Sequence, residues 1–592
     1  MPASHSTRRG AFTRHGRTTA VSGAGLLATV LLAGSLVGCS EEGEQIPSIG
    51  YAIDNTVTTY NANSVAGAVS GARQAFARVL PGFTYTGPEG GPVADTDIGT
   101  ANAMPGDALT IQYKLNPNSV YSDGVPMSCD DLVLTWAANS GRFPMFDAAS
   151  TAGYSDIDRI DCQTGAKDAV VTFKAGRNVT DWRSLFGATS MMPAHVVAGA
   201  AGVPDIVAAV QNSDAGALSR VADFWNDGWT MTPGDLDLTL FPASGPYKVE
   251  SFSADEGLVL VANDRWWGNR PATSRIVVWP KASDVSARIG DGSVEVVDVA
   301  AGSAPDLDLG GFDVTEVPSR SVEQFVLSTS GLFETSAGRR AFALCLPREE
   351  LASKFGIAAD AGETGDAGET GDAGETGGVG ATGGSVDTRV TAPDSLVHQS
   401  VAGAVGGPYE TADTTAAAAA LADTDNTSAT VRIGYLGPNP RRAEIVSAVA
   451  AACAPAGITV QDVASPEFTP SMLRDGQVDV VLAGTASAPG AAGTAAATTA
   501  MYALRSGIRS NFGDYSNGRV DQIVDQLAVD SSTASQLSLS TEAENILWSE
   551  VPTVPLFDQP RTVAFANGLQ AGTVNPTRSG AGWNMDRWVL RR

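Results

Sequence analysis

Between Ala20 and Gly38 the chain carries no charge, and Arg8, Arg9, Arg14 and Arg17 precede this apolar run. A basic segment, an apolar segment and small residues at its end are the layout of a secretory signal. Glycine and serine dilute the run, and it is short for a bilayer span of about 20 strongly apolar residues. A leader is therefore expected rather than a membrane-spanning anchor. Everything downstream is then expected in an oxidising compartment, where cysteines can pair.

The run ends in Leu36-Val37-Gly38-Cys39, which resembles the bacterial lipobox, where the cysteine is lipidated and becomes the first mature residue. Residues 1–38 are thus expected to be a lipoprotein signal peptide and Cys39 the lipid attachment point on the outer face of the cell membrane. A single acyl chain holds a protein only marginally, so stable tethering needs two or more chains on Cys39. Residues 39–44, with the polar run Ser40-Glu41-Glu42-Gly43-Glu44, read as a tether. Four cysteines then remain, Cys129, Cys162, Cys345 and Cys453, an even number that suggests two disulfides. Of the three possible pairings, Cys129–Cys162 and Cys345–Cys453 are favoured because each closes within one expected lobe. No two of these cysteines have the short spacing of zinc ligands. His5 and His15 fall in the leader, leaving only His195 and His398. No metal or cofactor is expected.

The balance of 38 basic and 65 acidic residues gives a net charge of −27. A chain without a basic surplus has little with which to release phosphate counterions, so a nucleic-acid partner is not expected. Catalytic signatures are equally thin. No Gly-x-Ser-x-Gly elbow, phosphate-cradling Gly-Lys-Ser or His-Glu-x-x-His occurs. Asp130-Asp131 and Glu349-Glu350 read as exposed helix starts, and Asp423 to Thr427 lacks the glycine and final glutamate of a calcium loop. The chain is not expected to be an enzyme.

Strand and helix patterns alternate along the chain, which implies α/β layers. Leu109 to Leu115 alternates as a half-buried strand, and Ser128 with Asp131 makes a capping box opening a helix. Ala169–Phe173 is a strand and Trp182–Phe186 the start of a short helix. Tyr247–Phe252 and Gly257–Ala262 read as a hairpin, with further strands at Ile276–Trp279, Val294–Val299 and Gln324–Leu327. Helices are expected over Ala337–Leu346, Asp413–Leu421, Arg441–Cys453, Arg519–Val529 and Thr541–Trp548. Strands are expected at Thr430–Tyr435, Ile458–Val463, Val478–Ala483, Val554–Phe557 and Val563–Ala566. Residues 360–377 are three copies of Asp-Ala-Gly-Glu-Thr-Gly without a large apolar residue, so 360–384 is expected to be a solvated, disordered insertion.

Several segments, in order, resemble the solute-binding proteins of peptide and nickel ABC importers, often called family 5. They are Tyr121-Ser122-Asp123-Gly124-Val125-Pro126 with Ser128 to Leu132, Ser244-Gly245-Pro246-Tyr247, and Leu260 to Gly268 with its Trp266-Trp267. Gly292 to Asp298, Gly338 to Leu351, Asn511 to Asn517 and Val551 to Leu556 continue the series. Each also has a structural job; Trp266 and Trp267 are expected in a lobe core. The chain looks like a divergent, actinobacterial-type member.

The resemblance implies an α/β, two-lobed periplasmic-binding-protein fold, class II or cluster C-like, with a hinge and a central ligand cleft. Lobe one is expected at 45–318, lobe two at 319–553, and a return to lobe one at 554–592, with candidate hinges at Val322–Ser328 and Val554–Asp558. It also implies a monomer that works with ABC permease subunits in the membrane and holds a small, peptide-like solute without altering it. Candidate ligand contacts by position are Tyr60 and Asn61 after the first strand, Ser328 and Ser330 after the crossover, and Thr485, Tyr502 and Asn511. Peptide-binding relatives carry an acidic residue after a Gly-Trp at the end of a lobe-two strand. The matching stretch, Val480 to Pro489, has Gly484 but neither the tryptophan nor a nearby aspartate. That departure leaves open a second role on the same fold, binding or regulating a cell-envelope glycolipid precursor.

Overall fold

A computed structural model describes residues 45–281, 283–304, 307–356, 384–391, 395–484 and 501–592. The leader, Cys39, the tether, nearly all of the hexapeptide insertion and Thr485 lie outside the described residues. Among those described, no helix is long and apolar enough to cross a membrane.

The first strand, β1 (Ser48–Ile53), is buried along almost its whole length. A small pair, β2 (Thr84–Thr86) and β3 (Pro92–Ala94), follows it. Then comes an antiparallel sheet of β4 (Gly99–Met104), β5 (Thr110–Leu115), β6 (Ile157–Asp161) and β7 (Asp168–Phe173), in the order β4-β5-β7-β6. The helix Cys129–Asn139 starts where the capping box places it. Asp131 at its third position accepts from the Ser128 N–H at 3.0 Å, and its other oxygen accepts from the Ala194 N–H at 2.8 Å. The expected helix at Trp182–Phe186 is only a 3₁₀ turn, Trp182–Ser184. Phe186 takes a φ of +54°, which no right-handed helix can continue.

A ten-stranded sheet organises the rest. Its further strands are β8 (Tyr247–Ser253), β9 (Gly257–Ala262), β10 (Arg275–Trp279), β11 (Val296–Ala300), β12 (Phe312–Leu327), β13 (Ala429–Gly434), β14 (Ile458–Asp462), β15 (Val480–Gly484) and β16 (Thr553–Ala566). The order is β14-β13-β15-β12-β16-β11-β1-β10-β9-β8. β8 and β9 form the expected hairpin. β13 and β14 are parallel and need a crossover, which the helix Pro440–Cys453 supplies.

Two strands are longer than the sequence pattern indicates. β12 starts twelve residues before Gln324, and the two expected closing strands are one continuous β16. These two lie side by side at the middle of the sheet, antiparallel, with breaks in register between Pro318 and Val322 and between Glu323 and Gln324. β16 contributes to two separate cores. Val563 of β16 packs with Tyr51, Phe76, Trp225 and Trp588, whereas Val554, Leu556 and Phe557 pack with Phe325, Phe342, Leu482 and Trp548. The α/β fold is thus two bodies, each with its own core, joined by β16, which belongs to both, and by β12 beside it.

Two cysteine pairs are bonded, each inside one core: Cys129 with Cys162, and Cys345 with Cys453, at Cα separations of 5.9 and 4.9 Å. Cys129, Cys162 and Asp130 lie close enough to suggest a metal cluster, but the two sulfurs are spent on each other. Trp266 is buried and half-buried Trp267 packs on the first core. Their indole N–H groups donate to the Asn269 and Asp97 carbonyls at 2.9 and 2.6 Å.

Candidate ligand cleft

Where β12 and β16 pass from one core to the other, a cleft of about 600 Å³ opens between the bodies. That volume is in the range of small-molecule sites. One wall is apolar: Phe468, Val481 and Phe512 form a small cluster on which Val65, Val69, Val326 and Leu436 pack. The remainder is polar, with Asn55, Thr59, Gln324, Asn439, Thr553 and Gln559 among the lining groups. No histidine, cysteine or glutamate occurs among the described lining residues.

Most of the charge around the cleft is already neutralised. Arg442 lines it and bonds Glu323 on β12 at 2.8 Å. Arg389 bonds Glu544 at 2.8 Å, donates to the Thr553 hydroxyl and carbonyl, and lies 3.8 Å over the Trp548 ring. Lys281 bonds Asp54 at 2.8 Å. Arg561 pairs with Asp298, a fully buried carboxylate that also accepts from the Tyr51 hydroxyl at 3.0 Å, the Gln74 amide at 3.2 Å and the Ala581 N–H at 2.7 Å.

The floor is built differently. Among the described residues Arg73, on the short helix Ala72–Phe76, reaches only the Ala62 carbonyl, at 3.4 Å, and its buried Nε has no partner there. Burial, and then the neighbouring Arg578 charge, bring its pKa down to about 9. Arg578 donates to the Ala68 carbonyl, and burial followed by the Arg561 charge lowers it to about 10. The loop carrying Arg578 is held from both ends. Asn575 accepts from the Thr577 N–H and hydroxyl at 3.0 and 2.6 Å. At the other end, Gly580 has a φ of +58°, and a Cβ there would stand 2.3 Å from Asp298 Oδ2. Only glycine lets the backbone come this close.

The residues chosen by position are mostly elsewhere. Tyr60 is fully buried, donates to the Pro242 carbonyl at 3.1 Å and packs edge-on against Phe76 and Phe241. Asn61 is buried and tied to the Trp225 carbonyl at 2.9 Å. Ser328 donates to the Ser330 carbonyl at 3.3 Å, exposed Ser330 begins a 3₁₀ turn, and Tyr502 packs in a cluster with Val524 and Leu547. None of these five is among the lining residues. Asn511 does line the cleft, although its amide is occupied by the Arg505 and Tyr515 carbonyls and the Tyr515 N–H. The arginines of the floor were not among the candidates. Arg73 lies in an Ala- and Arg-containing stretch that reads as an ordinary helix, and nothing around Arg578 in sequence marks it.

Comparison with known proteins gives the fold a family. The chain is 43% identical over 585 residues to the uncharacterized lipoprotein Rv2585c of Mycobacterium tuberculosis, covering 98% of this chain and all of that one. A 200-residue stretch, 33% of this chain and 26% of the other, is 28% identical to the M. tuberculosis protein named "Probable monoacyl phosphatidylinositol tetramannoside-binding protein LpqW". Among solved structures, the oligopeptide-binding protein AppA of Bacillus subtilis, in complex with a nonapeptide, superposes with a TM-score of 0.68 at 15% identity, over 93% of this chain and 100% of that one. Residues 100–500 match the family described as "Bacterial extracellular solute-binding proteins, family 5 Middle". With two cores, paired crossover strands and a cleft between them, the chain belongs to the bacterial extracellular solute-binding proteins of family 5.

Proposed function

We propose that this chain is the lipid-anchored, extracytoplasmic binding component of an ABC importer. It takes a small polar, peptide-like solute into the cleft, changes nothing in it, and presents it to permease subunits in the membrane. The observation that carries this reading is the cleft itself, set where β12 and β16 run side by side between the two cores. Binding without chemistry is supported by membership of a family of solute-binding proteins. Lipid anchoring at Cys39 is supported by the lipobox-like leader and by the lipoprotein relative. The candidate hinges, Val322–Ser328 and Val554–Asp558, start at or abut the breaks in β12–β16 register.

The test is native mass spectrometry of the protein purified from its own cells. A retained small molecule at one per chain, released intact on denaturation, is the expected result. Chemical turnover of that molecule, or an empty protein that captures nothing from a solute extract, would end this reading. The partial likeness to the mannoside-binding relative supports a second reading, an envelope glycolipid as occupant. A retained mass in the phospholipid range would favour it over import.

A further inference from the structure

Four cationic side chains line the floor of the cleft. Arg73, Arg561, Arg578 and Lys281 all line it; Arg561 bonds Asp298 and Lys281 bonds Asp54. Asp298 is fully engaged by Arg561, Tyr51, Gln74 and Ala581, and Asp54 by Lys281 and the Ala300 N–H. Asp147 and Asp227 also line the cleft, but neither bonds Arg73, and Asp147 faces Arg509 at 3.6 Å. On the opposite wall, Arg389 and Arg442 have carboxylate partners of their own. Arg73 therefore has no carboxylate among the described residues, and its buried Nε bonds nothing.

Such a group is costly to keep. A buried donor left without an acceptor forfeits its hydration, and a charged one forfeits more. The depressed Arg73 pKa expresses the same cost, and burial is its main cause. A guanidinium held this way on the floor of a ligand cleft matches the planar, bidentate geometry of carboxylates and phosphates. The built loop over Asn575 to Gly580, which sets Arg578 beside Arg73, does nothing to relieve the repulsion and adds a second positive donor.

We propose that the solute carries an oxyanion, a carboxylate or a phosphate, and that Arg73, beside Arg578, is the residue that receives it. This inference rests on the reading of the cleft as a solute site. It names the chemistry that the missing acidic residue near Gly484 leaves unspecified: the charge to be matched is negative, on the floor, rather than an ammonium on the opposite wall.

The test uses purified protein, stripped of endogenous solute by reversible unfolding, and follows thermal melting at constant ionic strength. Inorganic phosphate and acetate are titrated separately against chloride. At least one is expected to raise the melting temperature, and Arg73→Gln to weaken that anion's apparent affinity by roughly tenfold or more. Arg73→Lys, which keeps the charge but loses the planar fork, should retain part of the response, between the parent and Arg73→Gln. Without anion, Arg73→Gln should melt no lower than the parent, because the cation it removes is unpaired. A phosphate response points to a phosphorylated solute and an acetate response to a carboxylic one. Equal responses in parent and Arg73→Gln, no response to either anion, or a large loss of stability in the anion-free variant would overturn the inference. If native mass spectrometry shows a neutral retained solute while neither anion acts through Arg73, the binding-protein reading stands and the anion seat falls. If nothing is retained and neither anion acts, both fall.

Discussion

Glu323 accepts from Arg442 Nε at 2.8 Å while a second arginine, Arg441, donates to its other oxygen at 2.9 Å. Gln559 of β16 adds a third donor at 3.1 Å. The carboxylate is fully buried on β12 at the point where that strand passes between cores, and the arginines open the helix Pro440–Cys453. Both crossover strands and one cleft wall are thus tied to a single side chain.

Removing that charge should be expensive. Glu323→Gln leaves two buried guanidiniums facing an amide, and breaking a buried pair in this way costs roughly 3–5 kcal/mol. Burial raises the Glu323 pKa, but Arg442 and Arg441 outweigh it and hold the group below its ordinary value of 4.5. A depressed folded value means that the contribution is complete above 4.5 and disappears as pH falls through the folded value. Urea unfolding at pH 7 should show the full loss in Glu323→Gln, and the gap from the parent should narrow only in strong acid.

Asp558 behaves in the opposite sense. It sits across from Val322 in the β12–β16 ladder, its buried Oδ1 has no partner among the described residues, and burial raises its pKa from 3.8 to about 6. A raised folded value favours the protonated group, so this stability is present below 3.8 and lost as pH rises through about 6. Asp558→Asn should nearly match the parent near pH 4 and exceed it by roughly 2–3 kcal/mol at pH 8. Parallel denaturation curves with no divergence between these pH values would count against a buried, unpartnered carboxylate at this hinge.

The disulfides differ in the length of chain they restrain. Cys129–Cys162 spans 33 residues and Cys345–Cys453 spans 108. Loop-closure entropy makes these worth about 4 and about 5 kcal/mol respectively. Replacing the second pair by alanines should therefore lower stability more than replacing the first, read from denaturant midpoints of the two double variants. The reverse order would mean that strain or unfolded-state structure dominates.

How much of this was legible in the sequence depends on where polar side chains point. The Ser128 capping box and the β8–β9 hairpin were readable because their signals are local. The long β16 was not. Asp558, Gln559, Pro560 and Arg561 look like a loop between two short apolar strands, yet Gln559 reaches Glu323 and Arg561 reaches Asp298, so the polar stretch stays in the sheet. The helix Thr533–Glu550 begins at a Ser532 cap, nine residues before the expected start at Thr541; its first half carries polar residues and shows little apolar face. The site was least legible of all. Tyr60 and Asn61 were chosen for position, but their hydrogen bonds are consumed inside the first core. Arg73 matters because of what it lacks nearby in space, and a missing partner leaves no trace in a sequence.

Closure of the cleft should depend on residues that never touch the solute. Arg177 bonds Asp156 of its own body at 2.6 Å and, through Nη1, the Asp525 carbonyl at 2.8 Å. Asp525 belongs to the helix Gly518–Leu527, whose side chains pack in a separate cluster with Tyr502 and Leu547. Nearby, the Thr180 N–H donates to the Ala528 carbonyl at 3.3 Å, so one short segment of the first body latches onto the end of that helix. Arg177 is not among the lining residues. Arg177→Ala should leave the cleft chemistry intact but shift the population away from the latched form, which reduces apparent affinity by the fraction still competent. Losing one charge-assisted hydrogen bond predicts a decrease of roughly tenfold, expressed mainly as faster release. Stopped-flow release of whichever solute native mass spectrometry identifies provides the measurement, with small-angle scattering of the loaded protein reporting a larger mean radius for the variant. An unchanged release rate would mean that this contact follows closure without stabilising it.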